Sequence, residues 1–421
     1  MEIPVQMLKW TERPRKEQFR AVAWFIVVLY LLGFSISAAM RNQSDFNIYR
    51  EAGFSALHRK DIYVSESGSA FRYAPLYATI FMPLAMLPLR TARLFWFLIS
   101  MATALPALLL GSARLLFGKD YKLSGELILI PLFLCTRFIL PNFDHGQINL
   151  IVFALLVWGL ALALETKALR SGTLLAASSL IKPLSLVPIL YLVVQRRLKI
   201  FLSIIAVMVA LLVLPVIILG ENYTAQQTNK YVMSVAGRLS PDWEDLHSNY
   251  NQSAAAIATR ILAGNRKDHG LLTESDAAAA GWLFQLLLVA LVVAWCRIKQ
   301  TASCEQERRL ALAAVFCVIP GTLVISWLEY YIALMVPYMA LTYIGLGQPE
   351  QNKKRSFVAA CVLCMVLVLN VSSRLFKPAL FYGVPYFTSV ILLAALIALV
   401  QKSPAENPRA EAARYLRRND K

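Results

Sequence analysis

The chain has 421 residues, 58% of them hydrophobic and only 16% charged, with a mean hydropathy of +0.56. A soluble domain does not need so much apolar material, and runs of about 20 apolar residues, the length that crosses a hydrocarbon core, recur along it. The formal net charge of +17 sits in short loops and at the two ends, where it reads as topology signals and anionic-lipid contacts and not as a nucleic-acid surface.

These numbers predict an all-α polytopic integral membrane protein. Lipid forces backbone polar groups into helices or closed barrels, and no period-two alternation suggests a barrel. Most of the six cysteines lie in or beside apolar runs. Cys361 and Cys364 form a C-x-x-C inside an apolar helix with no histidine nearby, so neither a redox nor a zinc role is expected.

Residues 1–20 carry Lys9, Arg13, Arg15, Lys16 and Arg20 and are expected in the cytoplasm. The run 21–40 is the first crossing, too long for a signal h-region. The polar stretch Ser44-Asp45-Phe46-Asn47-Ile48-Tyr49-Arg50 follows at the outer bilayer edge. The segment 75–89 is apolar but short and holds Pro83 and Pro88, so it either crosses or dips into the membrane. Helices are expected at about 94–117, 123–140 and 147–164; the loop between the last two has no Lys or Arg and should face outside. Residues 171–195 are broken by Lys182-Pro183 into two half-helices. After 200–219 comes the largest polar stretch, about 220–277, expected outside. Apolar runs follow at about 277–296, 310–326, 330–347, 356–372 and 382–400, then a basic cytoplasmic tail, 401–421. About 10–13 crossings result, forming one transmembrane domain over 21–400 with no internal repeat.

Polar groups gather on the expected outer face: Asp45, Arg72, Tyr73, Asn142, Asp144, His145, Gln147, Asn149, Lys182, Asn251, Gln252 and Glu329. Ionisable groups at membrane depth are costly and point to function. Asp45 reads as a catalytic base, but Ser44 or Asp45 also fits as the N-cap of a helix over 46–57. Lys182, at a helix break, suits an anion, or snorkels if its segment lies shallow. Glu329 also fits a solvated carboxylate at a helix end, and Trp327, Tyr330 and Tyr331 an interfacial aromatic belt. His145 has no second ligand at metal spacing, so no metal site is expected. No Gly-rich phosphate loop, G-x-S-x-G or H-E-x-x-H occurs. A nucleotide-driven enzyme therefore has nothing visible to hold its phosphates, and no cofactor is expected.

Five stretches resemble one family. They are Ser44-Asp45-Phe46-x-x-Tyr49, Phe71-x-Tyr73-x-Pro75-Leu76, Gly146-Gln147-Ile148-Asn149, Ile181-Lys182-Pro183 and Asn251-Gln252-Ser253. In this order they look like glycosyltransferase family 87, the polyprenol-phosphate-mannose-dependent mannosyltransferases of the GT-C superclass. The resemblance implies transfer of a hexose, usually mannose, from a polyprenyl-phosphate donor to a hydroxyl of a glycolipid or glycan acceptor. The reaction would occur on the outer face, in a bacterial cytoplasmic (inner) membrane, with inversion at the anomeric carbon and Asp45 as the base. The family commonly has histidine near the donor phosphate where this chain has Glu329, which shifts phosphate recognition to Lys182 and Arg72. Tyr73, Asn142, His145, Gln147, Asn149, Asn251, Gln252, Trp327, Glu329 and Tyr330 are the expected sugar or acceptor contacts. A transporter or a flippase for lipid-linked sugars is the rival, since broken helices and buried charges suit both. Transporters often carry repeated midplane sites, whereas these polar residues cluster on one face.

Overall fold

The computed structural model describes residues 43–64, 71–238, 243–264, 270–302, 304–346 and 349–400, with scattered positions between 18 and 37. Residues 21–26 and 28–30 are helical; most of the expected first crossing, nearly all of 1–20 and the whole basic tail 401–421 lie outside the described residues.

Among the described residues every regular element is helical. In chain order they are α1 (Ser44–Leu57), α2 (Pro75–Ala85), α3 (Leu89–Phe117), α4 (Gly125–Asp144), α5 (Asn149–Leu164), α6 (Ala168–Ile181), α7 (Leu186–Val194) and α8 (Leu198–Leu219). Then come α9 (Glu221–Arg238), α10 (Trp243–His247), α11 (Ala254–Ala258), α12 (Glu274–Ala302), α13 (Glu305–Ala311), α14 (Ala313–Val318), α15 (Met335–Leu346), α16 (Pro349–Leu375), α17 (Lys377–Phe381) and α18 (Val384–Leu399). Among the described residues five stretches are long and apolar enough to cross a bilayer: Leu89–Phe117, Gly125–Asp144, Leu198–Leu219, Glu274–Thr301 and Lys353–Leu375. The chain is thus an all-α polytopic membrane protein. The other apolar helices are shorter, among them α2, α5, α6 and α18.

Prolines set several boundaries. At α2, 11 residues give about 16 Å, half a hydrocarbon core, so this segment does not span alone. In α3 a widened π turn, Ile99–Ala104, sits just before Pro106, where the ladder loses a donor. Lys182 precedes Pro183 and takes extended backbone (φ −144°, ψ 140°), ending α6; a 3₁₀ turn, Pro183–Ser185, then starts α7. The apolar run 310–326 is not one helix. It stops at Val318, turns through Pro320–Thr322 and bends irregularly to Trp327 before a 3₁₀ stretch, Leu328–Leu334, leads into α15.

The centre of the bundle is α15, buried from Met335 to Thr342. Around it lie α4, α14, α16 and α18. The opposite case is α8, apolar all round, with Leu202, Val209 and Ile217 exposed, the pattern of a lipid-facing helix. The site depends on how α1 docks. Gly53 lets α1 lie against the backbone of α2, since a Cβ there would meet the Phe81 carbonyl carbon at 2.8 Å. Arg50 donates to the carbonyls of Ala85 (3.2 Å) and Leu87 (2.8 Å), and Arg93 of α3 donates to Asn47 Oδ1 (2.9 Å).

Candidate active site

The first turn of α1 meets the turn that joins α4 to α5. The backbone N–H groups of Asp45 and Phe46 both donate to the His145 carbonyl, at 3.0 and 3.3 Å. A distant carbonyl thus satisfies donors that a side chain would otherwise cap. Neither Ser44 nor Asp45 is the N-cap, which is Gln43, and no side chain caps the helix. The cap reading of Asp45 is therefore replaced. Gly146 makes the approach possible: its φ is +65°, a Cβ on it would meet Phe46 Cβ at 2.7 Å, and its carbonyl accepts from Trp96 Nε1 at 2.8 Å.

From Asp45 a chain of hydrogen bonds runs inward. Gln147 Nε2 donates to Asp45 Oδ2. Lys182 Nζ donates to Gln147 Oε1 (3.3 Å), Asn149 Oδ1 (2.7 Å) and Tyr330 Oη (3.2 Å). Asn149 Nδ2 donates to Asn142 Oδ1 (2.9 Å), and Asn142 Nδ2 to the Glu329 carbonyl (3.2 Å). Lys182 is only 6% exposed, so it does not snorkel. Burial of a bare cation is costly. Three oxygen acceptors, the Tyr330 ring at 4.4 Å and the Tyr73 ring at 5.8 Å offset that cost. Asp45 and Glu329 are its acidic neighbours, and neither makes a direct ion pair with it. The lysine thus holds its charge next to, but not cancelled by, a half-buried carboxylate.

The walls of the site are aromatic. Tyr49 Oη and Tyr73 Oη lie 3.2 Å apart, and Tyr63 Oη donates to the Tyr73 carbonyl at 2.9 Å. Ser44 Oγ lies 3.3 Å from Asp45 Oδ1 and 3.2 Å from His145 Nδ1, and His145 Nε2 faces Glu329 Oε1 at 3.9 Å. Glu329 is buried, 9% exposed, so it is not a solvated carboxylate. Arg72 is exposed at the rim, with Tyr330 among the groups its charge reaches. Among the described residues no three His, Cys, Asp or Glu side chains gather as a metal set.

The sequence model of glycosyltransferase family 87 matches residues 71–327. The chain belongs to this family. It is also 24% identical, over 270 residues, to a curated protein of Mycobacterium tuberculosis (strain CDC 1551 / Oshkosh), a polyprenol-phosphate-mannose-dependent alpha-(1-2)-phosphatidylinositol pentamannoside mannosyltransferase. That match covers 64% of this chain and 57% of the relative's length. No solved structure matches.

In this family 87 member the matched stretch includes Lys182 and the Gln147–Asn149–Asn142 chain, whereas Asp45, Glu329 and Tyr330 lie outside it. Asn251 and Gln252 are turned away from the Lys182 chain. Asn251 Nδ2 donates to the Asp245 (3.0 Å) and Val324 (3.2 Å) carbonyls, and Gln252 Nε2 to those of Asn249 (2.6 Å) and Leu380 (2.9 Å). The Asn251 side chain holds the strip that carries half-buried Trp327, since its Oδ1 also accepts from the Ser326 N–H at 2.9 Å, whereas that of Gln252 ties its loop to the Leu380 carbonyl. Fully buried Arg260 serves the same loop, donating to the Ser248 and Asn251 carbonyls, both at 2.8 Å. Sequence reasoning missed Arg260. It also missed Gln43 and Tyr77, whose amide atoms and hydroxyl are buried beside Asp45 with no hydrogen-bond partner. A polar residue two positions before the key aspartate was the available signal for Gln43.

Several basic loops of this family 87 member collect at the other end of the helices. From Asn149 to Leu164, α5 runs about 24 Å away from the site. There Glu165 pairs with Arg114 (2.7 Å) and Lys167 (3.1 Å), Arg297 donates to Gln195 Oε1 (3.0 Å), and Arg309 donates to the Leu115 carbonyl (3.1 Å).

Proposed function

We propose that the enzyme transfers a hexose, mannose by the family's habit, from a polyprenyl phosphate to a hydroxyl of a glycolipid or glycan acceptor, with inversion. The observation that carries the reading is the hydrogen-bond chain from the Asp45 carboxylate through Gln147 to the buried ammonium of Lys182. It sets a proton acceptor and a fixed cation on one short relay, and displacement at an anomeric carbon needs both. The acceptor oxygen bonds to C1 as the C1–O bond to phosphate breaks. Asp45 takes the hydroxyl proton, and the electron pair leaves on the polyprenyl phosphate. Lys182, with Arg72 at the rim, stabilises the charge that builds on the phosphate oxygens. Asn142, Gln147 and Asn149 hold sugar hydroxyls, and Tyr73, Tyr330 and Trp327 line the groove. The relative's lipid-linked mannose donor and phosphatidylinositol-mannoside acceptor support the substrate classes.

Collection of Arg114, Lys167, Arg297 and Arg309 at the far end supports an outward-facing site, with both termini in the cytoplasm of a bacterium. The test is a transfer assay in detergent, with short-chain polyprenyl-phosphate-mannose and a lipid extract, comparing wild type with Asp45→Asn. Wild type should transfer mannose, and the variant should be slower by at least about 100-fold with donor binding retained. Equal rates would remove Asp45 as the base. Transfer by neither would remove mannose as the donor sugar or the transfer reaction itself. Because transfer needs no sealed membrane, turnover in detergent also excludes a flippase.

A further inference from the structure

One partly buried charge has no place in the chemistry above. Arg137 lies in the apolar helix α4, about 10 Å short of its Asp144 end. It is half-buried, and its Nε is shielded from solvent with no hydrogen-bond partner. A fully snorkelling arginine leaves its whole head in water; here Nε is shielded. Its charged and phenolic neighbours are Arg374, Glu329 and Tyr250, and no carboxylate among the described residues lies within ion-pair distance of it. Arg374 closes the last turn of α16. The register is fixed one turn earlier, where Asn370 Nδ2 donates to the Leu134 carbonyl of α4 at 3.3 Å. Adding one turn to each helix brings Arg374 beside Arg137. Two guanidiniums against one more distant carboxylate leave a net positive charge at a seam between helices. That seam opens to lipid: Phe133, Val371, Leu375 and Phe376 are all exposed around it.

We propose that Arg137 and Arg374 form a binding site for a lipid-borne phosphate, reached from the bilayer between α4 and α16. This rests on the reading of the enzyme as acting on lipid-linked substrates. Guanidiniums bind phosphate through paired donors, and an acyl or isoprenoid chain fits the flanking apolar surface. Glu329 is within electrostatic reach of both Arg137 and Lys182. The phosphate comes from either the polyprenyl donor or a glycerophospholipid acceptor, and the two sources separate in the test.

Purified full-length protein in detergent is titrated with a short-chain polyprenyl monophosphate, the matching polyprenol, phosphatidylinositol and diacylglycerol. Wild type, Arg137→Gln, Arg137→Lys and Arg374→Gln are compared. Arg137→Gln should weaken a phosphate-bearing lipid by about tenfold or more, leaving the phosphate-free partners unchanged. Arg374→Gln should show a smaller loss, and Arg137→Lys should recover part of the affinity. Loss confined to polyprenyl monophosphate assigns the site to the donor; loss confined to phosphatidylinositol assigns it to the acceptor. Unchanged affinity for both phosphate lipids in Arg137→Gln overturns the proposal, as does a wild type that binds neither. If Arg137→Gln fails to fold, the exposed Arg374 decides by the same comparison. Wild type that binds phosphate through Arg137 yet transfers no sugar sinks the transfer reading and leaves this site standing.

Discussion

Asp45 stands at the N-terminal turn of α1 without capping it, because the His145 carbonyl takes the two N–H groups that a cap would have served. Its carboxylate is left to Gln147, the Ser44 hydroxyl and, in the proposed reaction, an incoming hydroxyl. Lys182 is the second decisive side chain. Its charge is held by side-chain oxygens and aromatic faces and not by a contacting carboxylate, so it stays available to a leaving phosphate. Replacing it by glutamine should lower kcat by about 100-fold while KM for the donor changes less, because the interaction strengthens as the phosphate departs. Steady-state transfer kinetics in detergent read that split; a change confined to KM would give Lys182 a binding role only. Both residues were legible in the sequence, Asp45 from its position after the first crossing and Lys182 from the proline that follows it. Their connection through Gln147 was not, since the residues are far apart in the chain.

Among the elements, the α4–α5 turn does most to build the site. It supplies His145 to α1, and it aims Gln147 and Asn149 at Lys182. Its conformation hinges on Gly146 at positive φ, in contact with Phe46. Gly146→Ala should destabilise the protein by about 1–3 kcal/mol, through strain at positive φ and the clash with α1. Its transfer rate should fall further than its stability alone explains, because the His145 carbonyl is pushed from α1. Thermal unfolding in detergent and the transfer assay together check this; a variant with wild-type stability and rate would show that the turn yields freely. The same scale explains what Asn251 and Gln252 do. They were legible as candidate contacts for sugar, yet their side-chain amides bond to backbone groups of Val324, Ser326 and Leu380, a role that only the fold assigns.

Across the whole molecule, the site end and the basic end are opposed, and the basic end has its own electrostatic anchor. The Arg114 guanidinium bonded to Glu165 is the largest cause of a lowered carboxyl pKa there; partial burial works against it, and Lys167 adds to the lowering, leaving Glu165 at about 2 against an ordinary 4.5. The folded pKa lies below the unfolded one, so the stabilisation is complete above about pH 4.5 and is lost as pH falls toward about 2. Wild type and Glu165→Gln should therefore differ in thermal midpoint at pH 6 and converge as the medium is acidified through that window. A difference that persists at the acid end would show that the ion pair is not its source. The effect should be modest, since the pair is partly solvated and screened by salt.

Composition and apolar run length by themselves determined the class of this protein, because a bilayer admits few ways to satisfy a backbone and helices of about 20 residues are the simplest. Local chemistry also fixed the break at Lys182-Pro183, since proline acts on its immediate neighbours. Tertiary structure alone decided which polar groups share the site. Asp45, Gln147, Lys182 and Glu329 are far apart in sequence, and their meeting depends on packing and on carbonyls contributed across the bundle. It also decided that Arg137, hidden in an apolar run, faces Arg374 across a helix seam, because register between two helices is set by side-chain packing that no single stretch of sequence contains.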